Sequence, residues 1–223
     1  IYTAFAKNSK NSFILESVSN GVQWDRYSFI GFSPEKEIRM MGNMAEIRSG
    51  DAVQTEQVEE PIAFLKKMLA EYRAPSYPDA PHFTGGLIGY FGYDTVRYVE
   101  KRLTNVPEDD IHMPDCHLFL YEELIAYDHL TSNGIVILNL HTDGDLGAQY
   151  AAAQWRAEEL AHIVRNYHCQ PQETHHKGEA MVHSNLTKEQ YSKMVQDAKE
   201  YIRNGDIFQI VLSQRFEISN PPD

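Results

Sequence analysis

The chain has 223 residues, of which 42% are hydrophobic and 23% charged, as in an ordinary globular protein. Its formal net charge is −12 and its basic residues are scattered, which argues against a nucleic-acid surface. No apolar run approaches the ~20 residues of a membrane span, and no leader pattern precedes Ile1. We therefore expect a cytoplasmic protein without a membrane partner, in which Cys116 and Cys169 are reduced thiols.

Four short runs near the start of the chain predict β-strands. They are residues 13–18, 27–32, 36–41 and 44–48. Asn20-Gly21 separates the first two runs and Gly42-Asn43 separates the last two, and both dipeptides are typical of tight turns. The first fifty residues are therefore predicted to be mostly antiparallel sheet.

The middle of the chain predicts two helices and three more strands. The helices begin near Pro61, a residue suited to a first helical position, and near Asp145. The strands are residues 83–93, 118–127 and 135–140. Glycine weakens a strand unless the backbone approaches a neighbour closely, so the four glycines of residues 83–93 predict a tightly packed strand.

The last part of the chain begins with residues 167–185, a polar segment without periodicity that predicts an exposed linker. A helix then begins at Thr187, which forms a capping box with Gln190, and ends at Asn204-Gly205. The apolar run that follows predicts a buried strand over residues 207–218. We expect this strand to pair with the chain's own sheet or with a neighbouring molecule.

The order of these elements favours an α+β fold with mostly antiparallel sheets packed with helices, because strands and helices do not alternate regularly. We predict an N-terminal domain over residues 1–166 and a linker over residues 167–185. Residues 186–223 would then begin a second domain.

Several histidines raise the question of a metal site or a catalytic triad. Five residues of types that can bind metal lie in one stretch: His168, Cys169, His175, His176 and His183. Their spacing lacks the order of a zinc site, so we expect no metal site in this chain. His112 and His117 have no nucleophile motif beside them, and the sequence therefore predicts no triad.

Residues 92–101 carry Asp94, Arg97 and Glu100 at three-residue spacing, which places them on one face of a helical turn. They can form structural ion pairs or a surface for a partner protein. The sequence leaves both interpretations open.

Two predicted strands contain polar residues that need partners. Glu16 and Ser17 project to opposite faces of the first strand, and an unsatisfied buried polar group costs about 1–3 kcal/mol. A protein group or a ligand with ammonium and carboxylate groups can satisfy whichever residue faces inward. Gln209, Ser213 and Arg215 share one face of the last strand, as an active-site wall or as part of a hydrogen-bonded core.

Four blocks of sequence, in order along the chain, carry a family resemblance. They are FILESVSNGVQWDRYSFIGFSP, GGLIGYFGYDTVRYVEK, MPDCHLFLYEELIAYDH and TKEQYSKMVQDAKEYIRNGDIFQIVLSQRFE. These blocks resemble the large subunits (component I) of the anthranilate synthases, which are chorismate-utilising enzymes. The match spans nearly the whole chain but only about the first half of such a subunit. It implies a truncated fold like that of anthranilate synthase and aminodeoxychorismate synthase.

The resemblance implies the first committed step of tryptophan synthesis. Ammonia from a glutaminase subunit (component II) adds to C2 of chorismate as the 4-hydroxyl group leaves, and pyruvate is then eliminated to give anthranilate. Mg²⁺ holds the substrate carboxylate, and the resemblance puts its ligands outside this chain. We therefore expect no catalysis by these residues alone.

The resemblance also implies a regulatory site for L-tryptophan as inhibitor. The segment Ile14-Leu15-Glu16-Ser17 matches a Leu-Leu-Glu-Ser segment that forms part of the family's tryptophan pocket, with Ile14 in place of the first leucine. Tyr27 and Ser28 of the neighbouring strand are expected to line the same pocket. Another part of that pocket lies outside this chain.

Gln209 and Ser213 are the candidates for a wall of the chorismate site. Gln209 falls where water-adding members of the family carry a lysine base, and ammonia needs no such base. The neutral amide therefore suits an amine-adding enzyme. It does not separate anthranilate synthase from aminodeoxychorismate synthase component I, although the GYFGYDTVRYVEK block favours the former. The sequence is also compatible with a regulatory amino-acid-binding protein without catalysis and with a purely structural domain.

Overall fold

The structure is a computed structural model, and it describes residues 1–16, 26–168 and 181–219. The chain divides into two units, residues 1–169 and 170–223. Both contain helices and antiparallel strands, so the predicted α+β class is confirmed. No helix in the three described ranges is long and apolar enough to cross a membrane.

The helices and strands follow one another along the chain in a fixed order. They are α1 (Tyr2–Ala6), β1 (Phe13–Leu15), β2 (Tyr27–Gly31), β3 (Lys36–Met41), β4 (Met44–Ser49), β5 (Ala52–Gln57), α2 (Pro61–Leu69), β6 (Gly86–Phe91), α3 (Val96–Val99), β7 (Cys116–Tyr121), β8 (Glu123–Asp128), β9 (Asn133–Leu138), α4 (Leu146–Asn166), β10 (Met181–Ser184), α5 (Lys188–Arg203) and β11 (Phe216–Ser219). The predicted pairing of β3 with β4 across Gly42-Asn43 is confirmed, and β1 pairs with β2. The predicted Asn20-Gly21 turn lies outside the described residues.

The first sheet has the strand order β1-β2-β8-β9 and packs against α1 and α4. Helix α4 begins after Asp145, whose side chain accepts hydrogen bonds from the backbone N–H groups of residues 147 and 148. Leu160 of α4 is fully buried in a cluster with Phe5, Ile30 and Ile125. The apolar stripe of α4 therefore joins the helix to the sheet.

The second sheet has the strand order β5-β4-β3-β7-β6 and packs against α2. Ile38 and Met40 alternate with half-buried polar residues along β3 and are fully buried against Leu65 of α2. Cys116 lies in the same cluster as a free thiol, and burial raises its pKa to about 11. A thiol in that environment is inert at neutral pH.

Strand β6 lies very close to β7, as the glycine-rich sequence predicts. A Cβ atom added to Gly89 would lie 2.0 Å from the carbonyl oxygen of His117 and 2.8 Å from the Cα atom of Leu118. No real Cβ atom approaches backbone so closely. Glycine is therefore required at this position of the ladder.

The predicted single strand over residues 118–127 is wrong, because the structure divides it at Glu122. Residues before Glu122 belong to β7 of the second sheet, and residues after it belong to β8 of the first. The backbone carbonyl of Glu122 accepts hydrogen bonds from the backbone and the side chain of Asn139. The chain therefore passes from one sheet to the other at this residue.

In the second unit the predicted helix is confirmed, and the predicted buried strand over residues 207–218 is wrong for residues 207–215. Helix α5 begins at Thr187 with the complete capping box. Residues 207–215 form no strand, and Phe208 and Val211 are 93% and 83% exposed. Strand β11 pairs with β10, which lies inside the predicted linker 167–185. An apolar segment becomes a buried strand only if neighbouring strands satisfy its backbone, and the described residues provide none beside 207–215.

Candidate functional site

Four of the predicted tryptophan-site residues lie together at one end of the β1–β2 pair. Leu15 pairs with Phe29, so that Glu16 lies beside the beginning of β2, where Tyr27 and Ser28 are found. Leu15 is 46% exposed, and Glu16 is also exposed. Ser17 lies outside the described residues.

The two β2 residues project to opposite faces of the sheet, because successive side chains of a strand alternate. Ser28 is buried and Tyr27 is half-buried. Ser28 shares its face with Ile30, which packs against the helices, whereas Tyr27 shares its face with Phe29. The structure therefore brings the described residues of the predicted site to one end of the β1–β2 pair but not onto one face of the sheet.

Residues at the end of β8, which the sequence analysis did not single out, hold the beginning of β2. Asp128 binds the Arg26 guanidinium through two hydrogen bonds, 3.0 Å from Nε and 2.6 Å from NH2. The backbone N–H of His129 donates to the Arg26 carbonyl at 2.8 Å. Ser28 Oγ lies 2.7 Å from His129 Nε2. Asp128 lies in the third block of family resemblance, MPDCHLFLYEELIAYDH. Its partner Arg26 lies 102 residues away in sequence, and no local pattern indicates the pairing.

The buried carboxylate of Asp128 accepts hydrogen bonds from several types of donor group. It is 3% exposed and accepts hydrogen bonds from the Thr131 hydroxyl at 2.9 Å and the Leu130 backbone N–H at 2.9 Å. The hydrogen bond from Arg26 holds the pKa of Asp128 well below its usual range, and the donors in the β8–β9 turn act in the same direction against the effect of burial. Asp128 therefore stays ionised at neutral pH and joins β2 to this turn.

Asp128→Asn is expected to change how stability depends on pH. Because the folded-state pKa lies below the unfolded value of about 3.9, the carboxylate stabilises the fold above about pH 4, and this contribution is lost as the pH falls below it. Urea unfolding at several pH values should show a wild-type advantage at pH 7 that shrinks towards pH 2. Asp79→Asn, at an exposed loop position, is the control for the loss of one charge. A wild-type advantage independent of pH would contradict this role.

The predicted chorismate-site residues lie in the second unit, in the segment that forms no strand. Gln209 and Ser213 are both exposed. Arg215, their predicted companion, lies next to β11 and forms an ion pair with Glu217 at 3.2 Å. These side chains form no enclosed wall within the described residues, and their contact with substrate stays a prediction.

The Asp94–Glu100 segment contains one of the ion pairs that its sequence allows. Arg97 Nε donates to Asp94 Oδ1 at 2.8 Å, and Arg97 NH1 donates to the Leu103 carbonyl at 2.6 Å. Glu100 instead accepts from the backbone N–H of residue 102. Tyr98 of the same turn donates to Asp115 Oδ2 at 2.8 Å, and its burial, followed by the Asp115 interaction, raises its pKa. The segment is thus fixed to Asp115, the residue immediately before β7.

The histidines form no cluster of metal ligands in the described ranges, where no group of three or more His, Cys, Asp or Glu side chains converges. His117 Nε2 lies 2.8 Å from Glu37 Oε1, which also accepts a hydrogen bond from Arg39. These three side chains form an ion-pair set on the second sheet. Cys169, His175 and His176 lie outside the described residues.

Two grooves of the first unit lie apart from the predicted sites. A groove of about 600 Å³ lies between α4 and the β8–β9 hairpin, where Arg156 binds Glu123 at 2.8 Å. A groove of about 810 Å³ runs along β9 and the loop after α2. Neither is lined by Leu15, Glu16, Tyr27 or Ser28.

Comparisons with known proteins all point to chorismate-binding enzymes, and the named relatives are anthranilate synthase subunits. The chorismate binding enzyme family matches residues 12–223. Anthranilate synthase component 1 of Acetivibrio thermocellus is 37% identical over 94% of this chain and 43% of its own length. The corresponding protein of Pseudomonas aeruginosa is 37% identical over 98% of this chain and 45% of its own length. Anthranilate synthase alpha subunit 1 of Arabidopsis thaliana, a chloroplastic protein, is 37% identical over 92% of this chain and 38% of its own length.

The solved structures include anthranilate synthase component I from Streptococcus pneumoniae TIGR4. It matches with a TM-score of 0.64 and 27% identity, over 89% of this chain and 43% of the other. The chain therefore spans under half the length of the relatives that it matches.

Proposed function

The chain belongs to the chorismate binding enzyme family, and we propose that the gene product carrying it is component I of an anthranilate synthase. The observation that carries this proposal is that two bacterial anthranilate synthase component 1 proteins and a plant anthranilate synthase alpha subunit each match over more than 90% of the chain. The similarity in fold to a solved anthranilate synthase component I supports it. The proposed substrate is chorismate, and the products are anthranilate and pyruvate.

A genetic test separates this activity from that of aminodeoxychorismate synthase component I, the second candidate. The gene carrying residues 1–223 should restore growth without tryptophan to a strain that lacks the anthranilate synthase large subunit. An empty vector is the control. The same gene is also tested in a strain that lacks aminodeoxychorismate synthase component I and needs p-aminobenzoate. Growth of that strain without p-aminobenzoate, together with no rescue of the strain that needs tryptophan, would favour the second candidate.

The proposed chemistry does not require a general base at Gln209. Ammonia attacks through its own lone pair, whereas a water nucleophile must lose a proton, so a neutral amide suits an amine-adding enzyme. Mg²⁺ is proposed to hold the substrate carboxylate, with ligands outside the described residues. Because the chain spans under half of its relatives' length, we also propose that residues 1–223 alone do not turn over chorismate. Anthranilate formation by the isolated chain would contradict this.

Ammonia is proposed to come from a separate glutaminase subunit (component II). Tyr93 and Val99 are 93% and 77% exposed beside the Asp94–Arg97 pair, which gives the chain an apolar surface suited to a protein partner. Ammonium salts should then replace both glutamine and the partner in an activity assay. Full glutamine-dependent activity of the purified gene product without the partner would exclude a separate glutaminase.

L-Tryptophan is proposed to inhibit the enzyme by binding at the Leu15–Ser17 segment. Replacement of Ser17 by arginine should raise the tryptophan concentration for half inhibition by at least about tenfold, because a bulky charge would occupy the site. Ser76→Arg, in an exposed loop, is the matched control and should leave inhibition unchanged. Equal inhibition constants for wild type and Ser17→Arg would remove Ser17 from the site.

A further inference from the structure

The end of β8 is joined to the beginning of β2 by three kinds of contact. Asp128 forms the two-bond ion pair with Arg26. His129 contributes a backbone hydrogen bond to the Arg26 carbonyl and a side-chain contact with Ser28 Oγ. The His129 ring also stands edge-on to Tyr127, with the ring centres 5.0 Å apart.

We propose that Asp128 and His129 are positioning residues for the tryptophan site: they hold residues 26–28 in place and need not touch the inhibitor. This inference rests on the proposed regulation by tryptophan. It adds a role for two residues that lie about a hundred positions from the Leu15–Ser17 segment.

The geometry gives a reason why such support is needed. Strand β1 has three residues and lies at the edge of its sheet, so β2 is its one strand neighbour among the described elements. The position of the β1 edge therefore depends on β2, and β2 is held on its other side by β8. When a binding site is already ordered before its ligand binds, less conformational entropy is lost on binding, and the ligand binds more tightly. Loosening residues 26–28 should weaken inhibitor binding without removal of any inhibitor contact.

Two substitutions of His129 separate the hydrogen bond from the packing of the ring. His129→Phe keeps a ring beside Tyr127 but removes the nitrogen that lies 2.7 Å from Ser28 Oγ. His129→Gln keeps a nitrogen at a similar distance along the side chain. His162→Phe, at an exposed position of α4, is the matched control for a histidine-to-phenylalanine change.

The readout is the inhibition constant for L-tryptophan, measured on the gene product that carries residues 1–223. We expect His129→Phe to raise it about fivefold, as for the loss of one hydrogen bond of about 1 kcal/mol. His129→Gln should stay within about twofold of wild type, and His162→Phe should not differ from wild type. Asp128→Asn should also raise the inhibition constant, because it weakens the neighbouring ion pair with Arg26.

The possible results distinguish this inference from the proposal on which it rests. A wild-type enzyme that tryptophan does not inhibit would overturn both the proposed regulation and the positioning role. A wild-type enzyme that is inhibited, together with unchanged constants for His129→Phe and Asp128→Asn, would overturn the positioning role alone. The melting temperature of each variant is measured as well. A lower melting temperature with an unchanged inhibition constant would mean that the contacts serve only the fold.

Discussion

Gly89→Ala is expected to destabilise the first unit by about 3 kcal/mol or more. The added methyl carbon would lie 2.0 Å from the His117 carbonyl oxygen and 2.8 Å from the Leu118 Cα atom. Both atoms belong to the backbone of β7, so no side-chain rotation can relieve the clash. The β6–β7 ladder must separate, and overpacking of this kind lies at the upper end of single-substitution effects.

Urea unfolding of wild type, Gly89→Ala and Gly134→Ala measures this effect. Gly134 is a matched control, because it also lies in a strand and a Cβ atom there would have nothing within 4 Å. Gly134→Ala should change the free energy of unfolding by less than about 1 kcal/mol, since alanine mainly restricts the unfolded chain. Equal stabilities of the two alanine variants would show that β6 and β7 are not so close.

Leu160→Ala is expected to cost about 3–5 kcal/mol of unfolding free energy. Leu160 is 0% exposed and packs with Phe5, Ile30, Phe32 and Ile125 between α4 and the first sheet. Truncation removes three buried carbons and leaves a cavity that closely packed neighbours cannot close. The change should therefore weaken the attachment of α4 to the whole first sheet.

The matched control for this change lies in the same helix. Leu146 is the first residue of α4 and is 55% exposed, so Leu146→Ala should alter stability by no more than about 0.5 kcal/mol. Urea or thermal unfolding compares the two variants at one protein concentration. If Leu160→Ala were as mild as Leu146→Ala, α4 would not be packed on the sheet as described.

The local sequence was sufficient to predict elements whose pattern has one dominant cause. Pro61 marks the first turn of α2, and the Thr187 capping box marks the start of α5. The glycine-rich run over residues 83–93 predicted a tightly packed strand because few other causes favour so many glycines in a strand, and the structure shows the close approach at Gly89. In each case the signal lies within a few residues of the feature.

Other features depend on neighbours that local sequence does not contain. Strand β5 was not predicted because its six residues are all exposed and show no apolar alternation. The change of sheet at Glu122 was not predicted, since no glycine or proline interrupts the apolar run around it. The predicted buried strand over residues 207–218 was wrong for residues 207–215, because apolar character alone cannot supply the strands that must flank it.

The candidate site shows the same limit. Glu16 and Ser17 were singled out because polar residues in an apolar strand need partners. The Arg26–Asp128 pair joins residues 102 positions apart, and no local pattern indicates which distant carboxylate an arginine will meet. The supporting residues of a site are therefore harder to predict from sequence than the residues at its surface.

The central claim is that the gene product carrying this chain makes anthranilate from chorismate, and product stoichiometry tests it most directly. The purified protein is incubated with chorismate, an ammonium salt and Mg²⁺, and anthranilate fluorescence and pyruvate release are measured in the same reaction. The claim predicts that both products appear at equal rates and that neither appears without ammonium. Consumption of chorismate to an aminated product without release of pyruvate would contradict it.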